Sequence, residues 1–238
     1  MTKYSNLPLV SICVAVYNRA KYLPQCLDSI INQTYLNTEI IIVYNTSTDN
    51  SLEIINNYAV LNKRIKVLFL PYEEEAGKNS RQSYEFAYNN ATGEYIGSVD
   101  LGDRSVIKKI ELCINNIKNN GLIYTYCQMF GDTNVLDNRA QYTYSKERLL
   151  DYFMVFHFRL FKRSKWLEIK NLTNIDYCWD YDLVLRLSEI TEFTLLPQVL
   201  YFWRRHKVQM TTLNNIHYIR ECMNICKIEA QKRRGLII

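Results

Sequence analysis

The chain has 238 residues, 48% of them hydrophobic and 22% charged, enough length and apolar content to bury a large core and too much for disorder to be its resting state. Its net charge of +5 comes from 29 basic and 24 acidic side chains scattered along the length, with one basic cluster at Lys232, Arg233 and Arg234. That excess is too weak to argue for nucleic acid; it suits an anionic small molecule or loose contact with an anionic membrane surface, and a solvated basic tail is the simpler account of the cluster.

The seven cysteines are an odd set with no CxxC pair, which fits neither a disulfide framework nor a zinc site and points to a reducing, cytoplasmic compartment. Residues 1–8 carry no charged region followed by an apolar stretch, so no signal peptide is expected. No apolar run approaches the roughly 18 to 20 residues needed to cross a bilayer, so a soluble chain is expected.

Residues 9–16 are apolar and β-branched between Pro8 and Tyr17-Asn18, which predicts a buried strand. Leu23, Leu27, Ile30 and Ile31 then recur at helical spacing to about residue 32, with Pro24 tolerable in a first turn. Residues 39–43 predict a second buried strand, 45–50 a polar loop, and 51–58 a helix capped by Asp49 or Ser51. A third strand is predicted over 65–70, a helix over 78–89 with Tyr84, Ala87 and Tyr88 on one side, and a fourth strand over 95–99 after a stop at Thr92-Gly93. Strand alternating with helix over about 100 residues argues a doubly wound, parallel α/β sheet, whose ligands sit beyond the carboxyl ends of its strands. Function is therefore expected in the loops that begin at Tyr17, Tyr44, Pro71 and Asp100.

The second half is less regular. A helix is predicted over 105–119, a strand over 123–129, a polar loop or hairpin over 131–144, and short helices over 146–152 and 163–169 flanking a strand or buried segment at 154–161. Leu183, Val184, Leu187 and Ile190 predict a helix over 181–190, followed by a strand over 194–204 and a terminal helix over 214–233. Ile216, Ile219, Met223 and Cys226 lie at helical spacing on that last helix, which suits a domain cap or a homodimer interface equally.

Chemistry is suggested at three places. Asp100 and Asp103, in Val99-Asp100-Leu101-Gly102-Asp103, follow a buried strand and can face one Mg²⁺ or Mn²⁺, which prefer oxygen ligands, while Gly102 allows a tight turn; a helix cap by Asp103 explains the same residues. Asp180 and Asp182 open a helix, where capping and dipole complementarity account for one aspartate; Asp180 between Trp179 and Tyr181 also suits a partly desolvated general base. Arg204, Arg205 and His206 follow an aromatic strand and suit a phosphate or metal edge, or simply an exposed strand end.

Taken in order, these segments resemble the inverting glycosyltransferases of family two, which have the GT-A fold, over residues 7–211. The likeness begins in Pro8-Leu9-Val10-Ser11-Ile12 and Ala15-Val16-Tyr17-Asn18-Arg19, and continues through Cys26-Leu27-Asp28-Ser29-Ile30 and Asn32-Gln33-Thr34-Tyr35. It includes Glu39-Ile40-Ile41-Ile42-Val43, then Gly77, Arg81 and Gln82, then Thr92-Gly93-Glu94-Tyr95-Ile96 before the Asp100 turn. Asp180-Tyr181-Asp182-Leu183 matches the family's catalytic helix start with Trp179 replacing Glu, and Tyr201, Arg204 and His206 match its closing segment. Two departures stand out: Tyr44-Asn45 where the family usually has two Asp, and Gly102 in place of the middle Asp of the metal motif.

The resemblance implies an α/β GT-A fold with a doubly wound, mostly parallel, Rossmann-like sheet. A nucleotide-sugar-binding half is implied over 1–104, an acceptor-binding and catalytic-base half over 105–213, and a terminal helix over 214–238. It implies transfer from a nucleotide-diphosphate sugar, UDP first, to a hydroxyl of a saccharide or lipid-linked saccharide with inversion, Asp180 being the general base. Ala15, Tyr17, Asn45, Arg81, Asp100 and Arg204 would bind the donor, Asp100, Asp103 and His206 would hold Mn²⁺ or Mg²⁺, and His157 and Trp179 would lie on the acceptor side. No nucleic-acid partner is implied; peripheral contact with the inner face of a membrane is left open. The rival reading is a catalytically degenerate GT-A-like binding module, motivated by Tyr44-Asn45 and Gly102. A nucleotidyltransferase is disfavoured, because Tyr17-Asn18-Arg19-Ala20 contains no glycine for a phosphate loop.

Overall fold

The computed structural model describes residues 7–71, 80–132, 135–137, 144–169, 171–175, 177–205 and 216–237. Its first part reads β1 (Val10–Val16), α1 (Leu23–Ile31), β2 (Thr38–Tyr44), α2 (Ser51–Leu61), β3 (Ile65–Phe69), α3 (Arg81–Asn89) and β4 (Tyr95–Ser98). The remainder reads β5 (Arg104–Ser105), α4 (Lys109–Asn116), β6 (Leu122–Gly131), β7 (Leu136–Asp137), β8 (Arg159–Lys162), α5 (Arg163–Ile169), α6 (Trp179–Ile190), β9 (Phe193–Arg205) and α7 (Ile216–Arg233).

All the strands join one sheet in the order β3-β2-β1-β4-β8-β6-β9-β5, with β7 paired to β6. β1 to β4 are mutually parallel. β8 is antiparallel to both β4 and β6, and β9 is parallel to β6, so β6 and β9 point the same way as the first four strands and only β5, β7 and β8 oppose them. The expected doubly wound, mostly parallel sheet is thus the observed one.

The sheet is covered on both faces, which is why β1 and β2 read as unbroken apolar runs. Val10, Ile12, Val14 and Val16 face one core with Leu23, Leu27 and Ile30 of α1, Ile55 of α2 and Ile110 of α4. Cys13 faces the opposite core with Tyr84 and Tyr88 of α3, Trp166 of α5, Leu183 and Leu187 of α6, and Cys226 and Ala230 of α7. Alternation along a strand sends neighbouring side chains to opposite faces, so one seven-residue strand anchors both layers. Ile12, Ile40, Ile41 and Ile42 are all fully buried, each contributing about 1.5–3 kcal/mol of hydrophobic stabilisation. α1 and α2 lie on one face and α3 on the other, so the winding reverses between β1 and β4 and a crevice opens beyond their carboxyl ends.

Several boundaries differ from expectation for local reasons. The helix predicted from residue 105 begins at Lys109, because Arg104 and Ser105 pair with Phe202 and Tyr201 as a short edge strand. Of the 154–161 segment only residues 159–161 are strand, β8 running on to Lys162; Met154 to Phe158 are buried without regular pairing, and 146–152 supplies one 3₁₀ turn at Arg148–Leu150. Of the predicted loop or hairpin at 131–144, β7 is described, antiparallel to β6. α2 carries Asn50 at its cap position, while Asp49 Oδ1 accepts from the Ser51 N–H at 3.0 Å. On α7 the buried stripe is Cys222, Cys226 and Ala230, whereas Ile216, expected on the apolar face, is 37% exposed. All seven cysteines are free thiols, and no helix among the described residues is long and apolar enough to cross a membrane.

Candidate active site

The site grows from the turn after β4. Val99 N–H continues the ladder to Cys13 O at 3.0 Å, and Asp103 N–H returns to Asp100 O at 3.2 Å, closing a turn through Gly102 at φ +104. L side chains rarely adopt that conformation, so a glycine stands there for backbone reasons. Asp103 points inward: it is 3% exposed, Oδ2 accepts from Tyr201 OH at 2.8 Å, and Oδ1 accepts from the Arg204 N–H at 2.8 Å. Burial, then the neighbouring Asp100 charge, push its carboxyl well above the ordinary range, against the pull of those two donors. Arg204 Nε donates to Gly102 O at 2.8 Å, its guanidinium bonds Gln25 Oε1, and it lies 4.4 Å from the Phe130 ring centre and 5.1 Å from that of Tyr22. The turn is therefore bolted to the end of β9 and to α1.

Asp100 faces the opening, with 42% of its side chain exposed. Oδ1 accepts from Tyr84 OH at 2.7 Å and Oδ2 lies 3.2 Å from His157 Nε2. Burial raises the Asp100 carboxyl, while Tyr84 and the Arg159 charge pull it down. His157 is 8% exposed and stacks on Tyr201 with ring centres 5.5 Å apart. Its Nδ1 lies 3.4 Å from Arg159 Nη2, and Arg159 donates from Nη1 and Nη2 to Asp180 Oδ2 at 3.2 and 3.1 Å.

The two aspartates that open α6 have separate roles. Asp182 is fully buried and accepts from Thr173 N–H at 2.7 Å and Arg186 Nε at 2.9 Å, which ties the preceding segment to the helix. Asp180 turns to the opening with 21% of its side chain exposed. Its expected apolar jacket is not observed: Trp179 and Tyr181 are 8% and 2% exposed and turn into the core, and Asp180 has a guanidinium beside it instead. Trp179, expected on the acceptor side, stacks on Tyr84 at 5.0 Å and donates from Nε1 to Ser80 Oγ at 3.0 Å, so it supports the site from within.

Ala15, Tyr17 and Asn45 lie at the carboxyl ends of β1 and β2, beside this opening. Tyr17 is half-buried; Asn45 is 6% exposed and donates its N–H to Val16 O at 2.9 Å. The loops after the two strands are stapled together, Asn18 Oδ1 accepting from Thr48 N–H at 2.7 Å and Asp49 Oδ2 from Ala20 N–H at 2.9 Å. Tyr44 packs edge-on against Phe69 and its hydroxyl accepts from Ser47 N–H at 3.0 Å, which gives this departure a structural task. Arg81 is 8% exposed and donates to Glu85 Oε2 and Asn174 Oδ1, each at 2.7 Å. His206 and Gly77 lie outside the described residues.

Asp100, Asp103, His157, Asp180 and Arg204 are thus brought to one crevice edge, with Trp179 one layer behind. Sequence reasoning missed Arg159, Tyr84 and Tyr201 as the groups that hold the carboxylates; the alternation of His157 and Arg159 two residues apart was the available signal for Arg159. Among the described residues there is no cluster of three or more His, Cys, Asp or Glu able to hold a metal. With Gly102 lacking a side chain and Asp103 turned inward, the open oxygen donor is Asp100. One carboxylate fits a divalent ion that brings its other ligands as phosphate and water, and does not fit an ion held by protein alone.

Comparison with known proteins bears on the family and the fold. The family model described as glycosyl transferase family 2 matches residues 11–181. The chondroitin synthase of Pasteurella multocida (strain Pm70) is 32% identical over 201 residues, covering 82% of this chain; the chain spans only 20% of that relative's length. Among solved structures, Staphylococcus aureus TarS 1–349 in complex with UDP-GlcNAc superposes with a TM-score of 0.74 at 14% identity, over 91% of this chain and 66% of that one. The mannosyltransferase PcManGT of Pyrobaculum calidifontis, in complex with GDP-Man and Mn²⁺, gives a TM-score of 0.64 at 16% identity, over 96% of this chain and 65% of that one. At such identities these two speak for the fold alone, which is the GT-A architecture. The family match, covering well over half of the chain, carries the rest: the chain belongs to glycosyl transferase family 2.

Proposed function

We propose that this protein moves a hexosyl or N-acetylhexosaminyl group from a UDP-sugar to a hydroxyl of a saccharide or lipid-linked saccharide, with inversion at the anomeric carbon. The observation that carries the reading is the presence of two carboxylates on one crevice, Asp100 on the donor-side turn and Asp180 on the helix opposite, both exposed in part while their neighbours Asp103 and Asp182 are buried. The complexes of the structural neighbours with UDP-GlcNAc and with GDP-Man and Mn²⁺, and the relative's role as a chondroitin synthase, support a nucleotide-sugar donor and a saccharide acceptor.

In this reading Asp180 takes the proton of the acceptor hydroxyl as its oxygen bonds to the anomeric carbon, and the bond from that carbon to the diphosphate oxygen breaks on the opposite face. Tyr17 lies against the nucleobase, Ala15 and Asn45 complete its pocket, and the Asn45 side-chain carbonyl accepts a hydrogen bond from the base. Arg81, engaged by Glu85 and Asn174, shapes the donor wall, and Arg204 faces the diphosphate. A Mn²⁺ or Mg²⁺ ion held by Asp100, with His206 as the expected second ligand, would supply positive charge to the departing diphosphate. Asp103 acts by holding Arg204 and the turn in place.

Gly102 and the inward Asp103 give the degenerate binding module its best support. Calorimetry with UDP-sugars and GDP-sugars, with and without Mn²⁺, on the wild type and on Asp100→Ala separates the two. Metal-dependent binding that the substitution abolishes, with release of the nucleotide when an acceptor is added, supports the transferase. Donor binding without turnover over a panel of saccharide acceptors supports the module.

A further inference from the structure

The two carboxylates are joined by a continuous bridge. Asp100 Oδ2 lies 3.2 Å from His157 Nε2, His157 Nδ1 lies 3.4 Å from Arg159 Nη2, and Arg159 reaches Asp180 Oδ2 with both terminal nitrogens at 3.2 and 3.1 Å, Nη1 also facing the Asp180 backbone carbonyl at 3.4 Å. The two middle members are buried, the side chain of His157 being 10% exposed and that of Arg159 6%, whereas both carboxylates open to the crevice. Arginine carries donors only, so Arg159 donates toward His157 Nδ1, while His157 Nε2 faces Asp100 Oδ2.

The same guanidinium fixes Asp180. Both of its bonds fall on Oδ2, and Oδ1 takes no hydrogen bond among the described residues. A carboxylate free to rotate would present either oxygen in any orientation; pinned at one, it presents the other in a fixed direction, which is what a base must do toward a bound hydroxyl. Arg159 is rooted for the task, lying on β8 between the donor-side β4 and β6 with the Phe153 ring centre 5.8 Å from its guanidinium carbon.

We propose that Arg159 is a positioning residue for sugar transfer: its fork pins Asp180 at Oδ2 and so orients Oδ1 toward the acceptor hydroxyl. The proposal rests on the glycosyl-transfer reading with Asp180 as base.

The test compares the full chain with Arg159→Lys and Arg159→Gln, measuring UDP-GlcNAc binding by calorimetry and UDP release with and without a saccharide acceptor. In Arg159→Gln the expected result is donor affinity within about threefold of wild type and a kcat for transfer lower by about 100-fold. Arg159→Lys keeps the charge without the fork and should recover part of that loss. An unchanged kcat in folded Arg159→Gln overturns the proposal, as does an equal fall of kcat, donor affinity and melting temperature, which marks a purely structural arginine. Should neither variant fold, Asp180→Glu decides: it keeps a carboxylate but moves it off the fork, so kcat should fall by about 100-fold with donor affinity kept, and a kcat equal to that of the wild type overturns the proposal. A wild type that turns over no donor with any acceptor defeats the proposed function instead.

Discussion

The Tyr201 hydroxyl accepts a hydrogen bond from the Asp100 N–H at 3.1 Å and donates one to Asp103 Oδ2 at 2.8 Å. One oxygen on β9 thereby fixes both ends of the turn that carries the donor-side carboxylate, and Tyr201 is itself fully buried. Tyr201→Phe keeps the ring packing and removes only this oxygen, leaving a buried N–H and a buried carboxylate oxygen each short of a partner. The expected cost is about 1–3 kcal/mol, measured by urea unfolding. Donor binding should weaken as well, because Asp100 loses its backbone anchor. If stability is unchanged, the turn does not depend on Tyr201.

Gly102 offers a cleaner separation of backbone from side chain. An added Cβ would meet nothing nearer than Arg204 Cδ at 3.9 Å, so the site has room and the penalty lies in the φ of +104. Gly102→Ala is expected to lose about 1–2 kcal/mol from conformational strain alone. Gly102→Asp carries the same strain and sets a second carboxylate beside Asp100, so its Mn²⁺ affinity in the presence of UDP should exceed that of the wild type. Equal Mn²⁺ affinities in wild type, Gly102→Ala and Gly102→Asp would mean that the turn does not face the ion.

The strand and helix pattern of the first half was legible because each strand is buried on both faces and each helix on one, so burial alone set the periodicity. Asp100 and Asp180 stood out in the sequence only through family likeness at element ends, where local spacing left capping as an equal account. What spacing could not reveal was the direction of a side chain within a turn. Asp103 and Asp100 look alike in sequence, yet the positive φ at Gly102 sends one inward to Tyr201 and the other outward. The direction of Trp179 was hidden for a similar reason: it opens α6 on the face that meets Tyr84. Arg159 escaped notice because its partner Asp180 is 21 residues away and on another element.

Glu39 shows how a buried charge on β2 supports the sheet. It is 5% exposed and accepts from Ser11 Oγ at 2.6 Å, Thr92 N–H at 2.7 Å, Thr92 Oγ1 at 2.9 Å and Lys66 Nζ at 2.5 Å. Burial alone would raise its carboxyl, but these donors hold it at about 2. A folded value below the unfolded one stabilises the protein above about pH 4.5 and loses that contribution as pH falls toward 2, an amount of about 3 kcal/mol. Glu39→Gln should lower stability at pH 7 and flatten the decline between pH 5 and 2. Parallel acid-unfolding curves for the two proteins would show that Glu39 is not the responsible group.

Lys109 makes the opposite contribution. It is 1% exposed, its Nζ donates to Ser105 Oγ at 2.6 Å, and it lies 3.7 Å from the Phe158 ring centre. Burial lowers its ammonium to about 7, against an upward pull from Cys113, Cys26 and Asp103. Between about pH 7 and pH 10 the unfolded chain still binds a proton that the folded chain has released, so this residue makes stability rise with pH; below pH 7 the full cost of burying the charge, of order 4 kcal/mol, is present. The buried cysteines act in the other sense above about pH 8.5, because their thiols are raised in the folded state and ionise first in the unfolded one. The difference between wild type and Lys109→Met cancels that background. Urea unfolding from pH 6.5 to 9.5 should find Lys109→Met more stable than wild type at the acidic end, with the gap narrowing toward the alkaline end. A gap that stays constant with pH would mean that Lys109 keeps its proton in the fold throughout this range, and that the ring faces of Phe158 and Tyr201 offset its burial.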